Sequence, residues 1–353
     1  MGFQGPQAFG GVQGQSPWPC FFLMLLRRLL VAVPILFVVS VLLFCALRLL
    51  PVDPAAMSMP PNATREEIEA ARREMGLDRP LPVQYLIWLE AAVHGDFGRS
   101  IHLRRPVLPL VAEVLPATIE LTVAAMVVAA VLGLAGGLLL FALRGRAGEA
   151  LAETGTTLLM SIPEFLWALL FIFLFGVLLQ AMPFTGRLDA DLQRPAITGF
   201  LLLDALIARR LDVFASAAAH MVLPTAALGL AFAPPIMRVL RSSLLDVYHE
   251  DYIRQARLRG VSETRVLLAH ALKNAILPTL TLMGVQFGFL FGGSLLVEVI
   301  YSYPGMGNLM VDAVRNADLP IIQLVGLTYC VVVLLINSLV DGLYLVLNPR
   351  LRR

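Results

Sequence analysis

SSLLDVYHEDYIRQARLRGVSETRVLLAHALKNAILP, residues 242–278, is a charged, helix-capable stretch set between two long apolar runs. Asp246, Glu250 and Asp251 come early and Arg254, Arg257 and Arg259 late, the order that suits a helix macrodipole. Glu250 precedes Arg254 by four residues, the better orientation for an exposed pair of opposite charges. Leu245, Tyr248, Tyr252 and Ala256 recur at helical spacing and predict one shared face. Gly260 is placed to end the helix, and Ser262 to cap a second, short one beginning at Glu263. The spacing predicts an L-shaped helix–turn–helix standing out of a membrane protein. Such a segment is a surface on which something docks.

The flanking chain supplies the membrane. Of 353 residues, 58% are hydrophobic and 15% charged, with a mean hydropathy of +0.79; a soluble domain carries about 25% charge. Six runs are long and apolar enough to cross about 30 Å of hydrocarbon as helices of roughly 20 residues. They lie near Leu29–Leu50, Ala117–Leu143, Thr156–Met182, His220–Leu240, Ala275–Val299 and Ile321–Leu347. Pro82–Val93, with Trp88 and Glu90, reads as an interfacial helix. Ala196–Ala208 is broken by Asp204 and too short to span, so it reads as surface-lying or re-entrant. Residues 1–23, rich in Gly, Gln and Pro, read as a disordered tail. Met24 directly precedes LLRRLL and is an alternative to Met1 as the translation start. The first run exceeds a signal-peptide core and lacks a small-residue cleavage site, so it reads as a retained span.

Arginine sets the orientation. Of 27 basic residues only Lys273 is lysine, which reflects the source genome's codon usage more than chemistry. With both termini inside, fourteen basic residues face the cytoplasm, against five in the short external loops. The first external loop, residues 51–116, holds seven arginines, but its length weakens their vote. The charged loop 242–273 is then cytoplasmic. Cys20, Cys45 and Cys330 form no C-x-x-C spacing, which excludes a disulfide framework and a cysteine metal site.

Several local strings resemble the permease subunits of bacterial ABC importers for peptides and nickel, in particular the B-type subunit, first of the two paired permeases. The opening LLRRLL leads to Leu50-Pro51-Val52-Asp53-Pro54, with Val52 where that family usually has Gly. Gly76-Leu77-Asp78-Arg79-Pro80 and Gly95-Asp96-Phe97-Gly98-Arg99-Ser100 resemble its external loop, and Leu115-Pro116-Ala117-Thr118-Ile119-Glu120-Leu121 the opening of its second span. Asp251 to Gly260 resembles its docking motif, with Arg254-Gln255-Ala256 in place of the superfamily's Glu-Ala-Ala. Tyr303-Pro304-Gly305-Met306-Gly307 and Asn348-Pro349-Arg350 match as well. The resemblance covers residues 24–353. It implies an all-α integral membrane fold of six transmembrane helices, the type I importer permease, with a long external loop between the first two. It also implies a bacterial inner-membrane location and partners: a second permease, two ATPase subunits that bind ATP and Mg, and a soluble substrate-binding protein. Membrane lipid surrounds it, and no nucleic acid is involved. Short peptides are the implied cargo, with nickel, haem, glutathione and opine-like compounds as alternatives.

For that docking role Asp251, Arg254, Ala256, Arg257, Gly260, Ser262 and Glu263 are the expected residues. Gly260 permits the sharp turn, Ala256 allows close approach, and the arginines offer charge-assisted contacts at a rim. The chain has no G-x-x-x-x-G-K-[ST], H-E-x-x-H or G-x-S-x-G, so hydrolysis belongs to a partner and no cofactor is expected in this chain. Gly284, Gly288 and Gly292 repeat every four residues, as do Gly133 and Gly137; such rows let helices approach closely. They serve either packing within the subunit or the seam with the second permease. Ionisable groups at span depth are functional candidates: Glu164, after Ser161-Ile162-Pro163, is the leading pathway candidate, with Gln286 placed near the glycine row. Glu120 and Glu298 are expected near span ends where water reaches them, and Asp341 against a neighbouring helix through the face it shares with Asn337. Pro224, Pro234 and Pro235 suit either a flexing span or static packing. The five histidines form no cluster for nickel. An ion-coupled secondary transporter would show inverted repeats, and none is found. An intramembrane enzyme would need a nucleophile–base pair at span depth, and none is evident.

Overall fold

A computed structural model describes residues 18–49, 53–60, 62–74 and 76–347. The tail up to residue 17, Leu50-Pro51-Val52, Asn348-Pro349-Arg350 and the side chain of Asp341 lie outside the described residues. In chain order the helices are α1 (Trp18–Arg48), α2 (Pro54–Ser58), α3 (Arg65–Glu74), α4 (Leu81–Val93) and α5 (Val107–Ala142). Then come α6 (Glu149–Ser161), α7 (Glu164–Phe171), α8 (Leu201–Ile207), α9 (Leu211–Tyr248) and α10 (Asp251–Leu258). The chain closes with α11 (Glu263–Arg265), α12 (Leu272–Ile300), α13 (Met306–Arg315) and α14 (Leu319–Leu347). Among the described residues there is no strand, only an isolated bridge between Arg99 and Pro106.

Five of these helical runs are long and apolar enough to cross a membrane, and α6 with α7 makes a sixth if the bent pair is one span. That pair turns by 93°. The expected third span, Thr156–Met182, is therefore not one continuous helix. Ile162 is extended, at φ −96° and ψ 116°, because the Pro163 ring disfavours helix in the residue before it. Beyond α7 the chain relaxes into a π-helical turn, Ile172–Leu178. Other boundaries moved outward. α1 begins at Trp18, inside the stretch read as tail, since Trp18, Phe21 and Phe22 prolong the apolar run and Pro19 sits in the first turn, where no N–H is missed. α5 begins at Val107 and carries Pro116 within it, so the Leu115-Pro116-Ala117 string lies inside the helix and not at its start. α9 runs for 38 residues through Pro224, Pro234 and Pro235.

α5 lies along α9, and glycines make the approach possible. A Cβ on Gly133 would come within 2.5 Å of Ile236, one on Gly137 within 2.9 Å of Leu240, and one on Gly229 within 2.5 Å of Val128. The second-span glycines thus serve packing inside the subunit. One core gathers Leu121, Ala125, Trp167, Leu228, Leu290 and Val297 around α5, α7, α9 and α12. A second joins Val107, Phe291, Met306 and Val325, and brings α14 against α12 and α13. The third, around Phe141, Leu240, Leu244 and Val266, closes the end that carries α10. α1 rests mainly on α14 and is the least buried of the five long runs.

Candidate functional site

The charged segment is not one helix followed by another. α9 continues through Asp246 to Tyr248; His249 and Glu250 then turn the chain, Glu250 in an extended conformation, and α10 starts afresh at Asp251. The expected face of Leu245, Tyr248, Tyr252 and Ala256 is therefore divided between two helices. Ile253 is the residue that anchors α10: it has no exposed surface and packs among Phe141, Leu240, Leu244, Val266, Ala271 and Ala275. Ala256 is partly buried beside it. Tyr252 instead points outward, where its hydroxyl accepts a hydrogen bond from Asn274 at 2.7 Å.

Gly260 ends α10 at φ +76°, a conformation that favours glycine. The Gly260 N–H donates to the Arg257 carbonyl at 2.9 Å and the Val261 N–H to the Ala256 carbonyl at 3.2 Å, the paired bonds of a Schellman end. Ser262 stands before α11 in extended conformation, but its hydroxyl makes no capping bond; its carbonyl takes the Val266 N–H at 2.9 Å. The Glu250–Arg254 pair does not form. Arg257 pairs with Glu263 instead, Nε to Oε1 at 2.7 Å and Nη2 to Oε2 at 3.1 Å, and lies 5.0 Å from the Tyr248 ring centre. That two-point contact lifts the already high Arg257 pKa further and holds the turn closed. Arg257 and Glu263 therefore brace the segment from within, while the side chains of Asp251, Arg254 and Ser262 are exposed and without internal partners among the described residues. Leu258, which the charge pattern did not single out, is 80% exposed on the same helix. An amphipathic peg results: Ile253 inward, Leu258 outward, arginines around it.

The pathway candidates separate onto two sides of α12. Gly284 packs directly on Val340 and Gly288 touches Val333, so this part of the row meets α14 within the subunit. A Cβ on Gly292 would meet nothing within 4 Å. At 100° per residue Gln286 lies across the helix from Gly284 and Gly288, not beside them, and shares a side with Gly293 seven residues on. Gly293 is where Glu164 arrives: a Cβ there would stand 3.3 Å from Glu164 Oε1. Glu164 begins α7, and its helix N-terminus favours the carboxylate. Glu164 and Gln286 are both half-buried and make no hydrogen bond among the described residues.

The opposite end holds a buried polar cluster. Glu298 is fully buried and accepts from the Gly307 N–H at 2.7 Å and from Ser294 Oγ at 3.4 Å. Glu120 is partly buried: it pairs with Arg187 and accepts from the Leu202 N–H at 2.8 Å. Glu298 is not water-exposed, contrary to expectation, because the Tyr303–Gly307 turn folds over the end of α12, and Glu120 is tied instead to Arg187 and the Leu202 N–H. Thr118 Oγ1 receives the Met306 N–H at 2.8 Å. Asp318 takes Ser100 Oγ at 2.5 Å and the His102 N–H at 3.1 Å, which fastens the external loop to the start of α14. Asp204, read as a break, is an anchor: it accepts from the N–H groups of Ile197, Thr198 and Gly199 and from Thr198 Oγ1. Burial alone would push the Asp204 carboxyl up, but these four donors hold it below the ordinary aspartate value. Arg187, Thr118 and Ser100 left no signal in the pattern, since their partners lie 67 to 218 residues away.

Comparison with known proteins places these features. Residues 129–353 match the model of the binding-protein-dependent transport system inner membrane component, and residues 20–122 that of its N-terminal part. The chain belongs to this family of ABC importer permeases. Permeases named glutathione transport system permease protein GsiC, from Escherichia coli strain K12, Shigella dysenteriae serotype 1 and Shigella flexneri serotype 5b, are each 39% identical over 327 residues. The alignments cover 93% of this chain and 98% of each relative. A solved structure of the MetNI methionine ABC transporter in an inward-facing conformation superposes with a TM-score of 0.51 at 17% identity. It covers 69% of this chain and 98% of its own, and the likeness is one of fold.

This permease is thus a multi-pass component of a bacterial inner-membrane ABC importer and not an enzyme. The N-terminal match spans α1 to the first half of α5, which includes the external loop, and the second match contains α10.

Proposed function

We propose that this permease forms half of a translocation pathway for small peptides, with the tripeptide glutathione as the first cargo to test, and that α10 is its seat on a cytoplasmic ATPase. The observation that carries the docking role is α10 itself: a rigid eight-residue helix anchored through Ile253, braced by Arg257 and Glu263, with Leu258 and Arg254 turned outward. A helix so held moves as a body with α9 and α12, so closure of paired ATPases becomes a push on two spans at once. The working assembly is then two different permeases, two ATPases that bind ATP and Mg, and a soluble binding protein that delivers cargo at the opposite end. Both termini are cytoplasmic in this arrangement, as the arginine bias favours.

Glutathione comes forward because the 39% identical relatives carry it in their names; di- and oligopeptides share its amide and carboxylate chemistry. The test is uptake into vesicles holding the reconstituted importer with its own binding protein. ATP-dependent accumulation of labelled glutathione, with dipeptides as competitors, supports the reading. Accumulation of nickel, haem or opines with no peptide uptake contradicts the cargo, and transport without any ATPase contradicts the class.

A further inference from the structure

At the end opposite α10, a cavity of about 300 Å³ opens between α1, α4, the loop after α4 and the start of α14. Its walls are apolar and aromatic, with Phe44 and Trp88 prominent, and a few polar groups converge on it, the composition of a ligand site. Arg48 makes neither ion pair nor hydrogen bond among the described residues; its guanidinium sits 5.2 Å from the Phe44 ring centre. Gln323 is 92% buried, and its Nε2 has no hydrogen-bond partner among the described residues. A buried amide left so costs free energy unless a ligand accepts from it. The two other charged residues lining the cavity already have contacts: Asp96 accepts from the Gly98 N–H at 2.9 Å, and Arg99 donates to the Arg104 carbonyl at 2.9 Å. Among the described residues Arg48 is the one lining charge left without a polar contact, and the lining carries a net positive charge.

The surroundings say what kind of anion reaches it. α1 exposes Leu42, with exposed Leu49 just beyond its end, and α4 exposes Leu86, Ile87 and Val93, so both helices that frame the cavity present apolar surface beside it. α4 is apolar but too short to cross, and its Trp88 packs on Phe44 of α1, a residue type that favours the membrane–water interface. Soluble cargo would meet those faces as obstacles; acyl chains would cover them.

We propose that this cavity is a binding site for an anionic phospholipid, whose phosphate is held by Arg48 and the Gln323 amide while its chains lie along α1 and α4. A cationic pocket between membrane helices is the usual setting for headgroup recognition, and arginine pairs well with phosphate oxygens. Occupancy would fasten α1 to α14 at the end where cargo is received.

The experiment counts lipids on the purified importer containing the full chain, by native mass spectrometry during titration with phosphatidylglycerol or phosphatidylcholine. The wild type should retain one phosphatidylglycerol that Arg48→Gln binds about tenfold more weakly, with Arg48→Lys intermediate. Gln323→Leu should weaken retention without any change of charge. Arg315→Gln, which removes an exposed cation from α13, should bind as wild type. Equal retention by wild type, Arg48→Gln and Gln323→Leu overturns the site. Full competition by glycerol phosphate, a headgroup without chains, also overturns it by showing that a soluble anion suffices. Melting curves of each variant establish that the importer is folded.

Discussion

Glu298 of α12 accepts a hydrogen bond from the backbone N–H of Gly307 at 2.7 Å, and both groups are buried. The contact explains two glycines in the Tyr303–Gly307 turn. A Cβ on Gly305 would overlap the Glu298 carboxyl, and one on Gly307 would come within 2.6 Å of the Leu295 backbone. The turn therefore closes onto α12 only with glycine at both positions. Glu298→Gln keeps an acceptor for Gly307 and should melt near wild type. Glu298→Ala strands that N–H, at a cost of about 1–3 kcal/mol, and should lower the melting midpoint of the detergent-solubilised importer. Equal midpoints for the two variants would mean that the carboxylate does not hold the turn.

The glycines of α5 and α12 should respond differently to the same methyl group. Gly133→Ala forces a Cβ against Ile236 and should destabilise by about 1–3 kcal/mol, the usual range for overpacking. Gly292→Ala meets open space in this subunit and should leave its stability unchanged. Yield and melting midpoint of the two variants check this. A loss of function confined to a bulkier Gly292 variant would place that glycine at the seam with the second permease.

Gly260→Val should uncouple transport from ATP hydrolysis while the permease remains in the membrane. No neighbour would touch the added Cβ, so the strain comes from φ +76° alone and acts on the end of α10. Transport per ATP hydrolysed is the measurement, and normal coupling would remove α10 from the mechanism.

Acid should loosen the loop before α8 through Asp204. Its folded-state pKa is held below the ordinary aspartate value. The stability it contributes is therefore complete above that value, near pH 4, and is lost as pH falls through the lower, folded-state value. Melting midpoints of wild type should fall across that acid range, and those of Asp204→Asn less so. Parallel curves would show that the four donors to Asp204 do not favour its charged form.

The membrane spans and the end of α10 could be read from the chain because both are local patterns: apolar length in one case, and the stop at Gly260 in the other. Pro163 likewise announced a break, though not one of 93°. What escaped was set by distant contacts. Ile253 looks like any apolar residue on a short helix until Phe141 and Val266 surround it. Arg257 looks like a rim charge until Glu263 takes it. Glu120 and Glu298 were expected in water because positions near span ends reveal neither the Tyr303–Gly307 turn that covers Glu298 nor the Arg187 that pairs with Glu120. Gln286 was misplaced for a simpler reason, since two residues along a helix turn a side chain by about 200°.

Leu258 tests the central claim most directly. Leu258→Asp changes a residue that is 80% exposed and leaves Ile253, Arg257 and Gly260 in place, so the subunit itself should fold and pair with the second permease. Affinity purification of the importer through a tag on this chain, followed by quantitation of the co-purified ATPase, gives the answer. If α10 is the seat of the ATPase, the variant should lose most of it while retaining the second permease. Undiminished ATPase at wild-type stoichiometry, with normal coupling, would contradict the account.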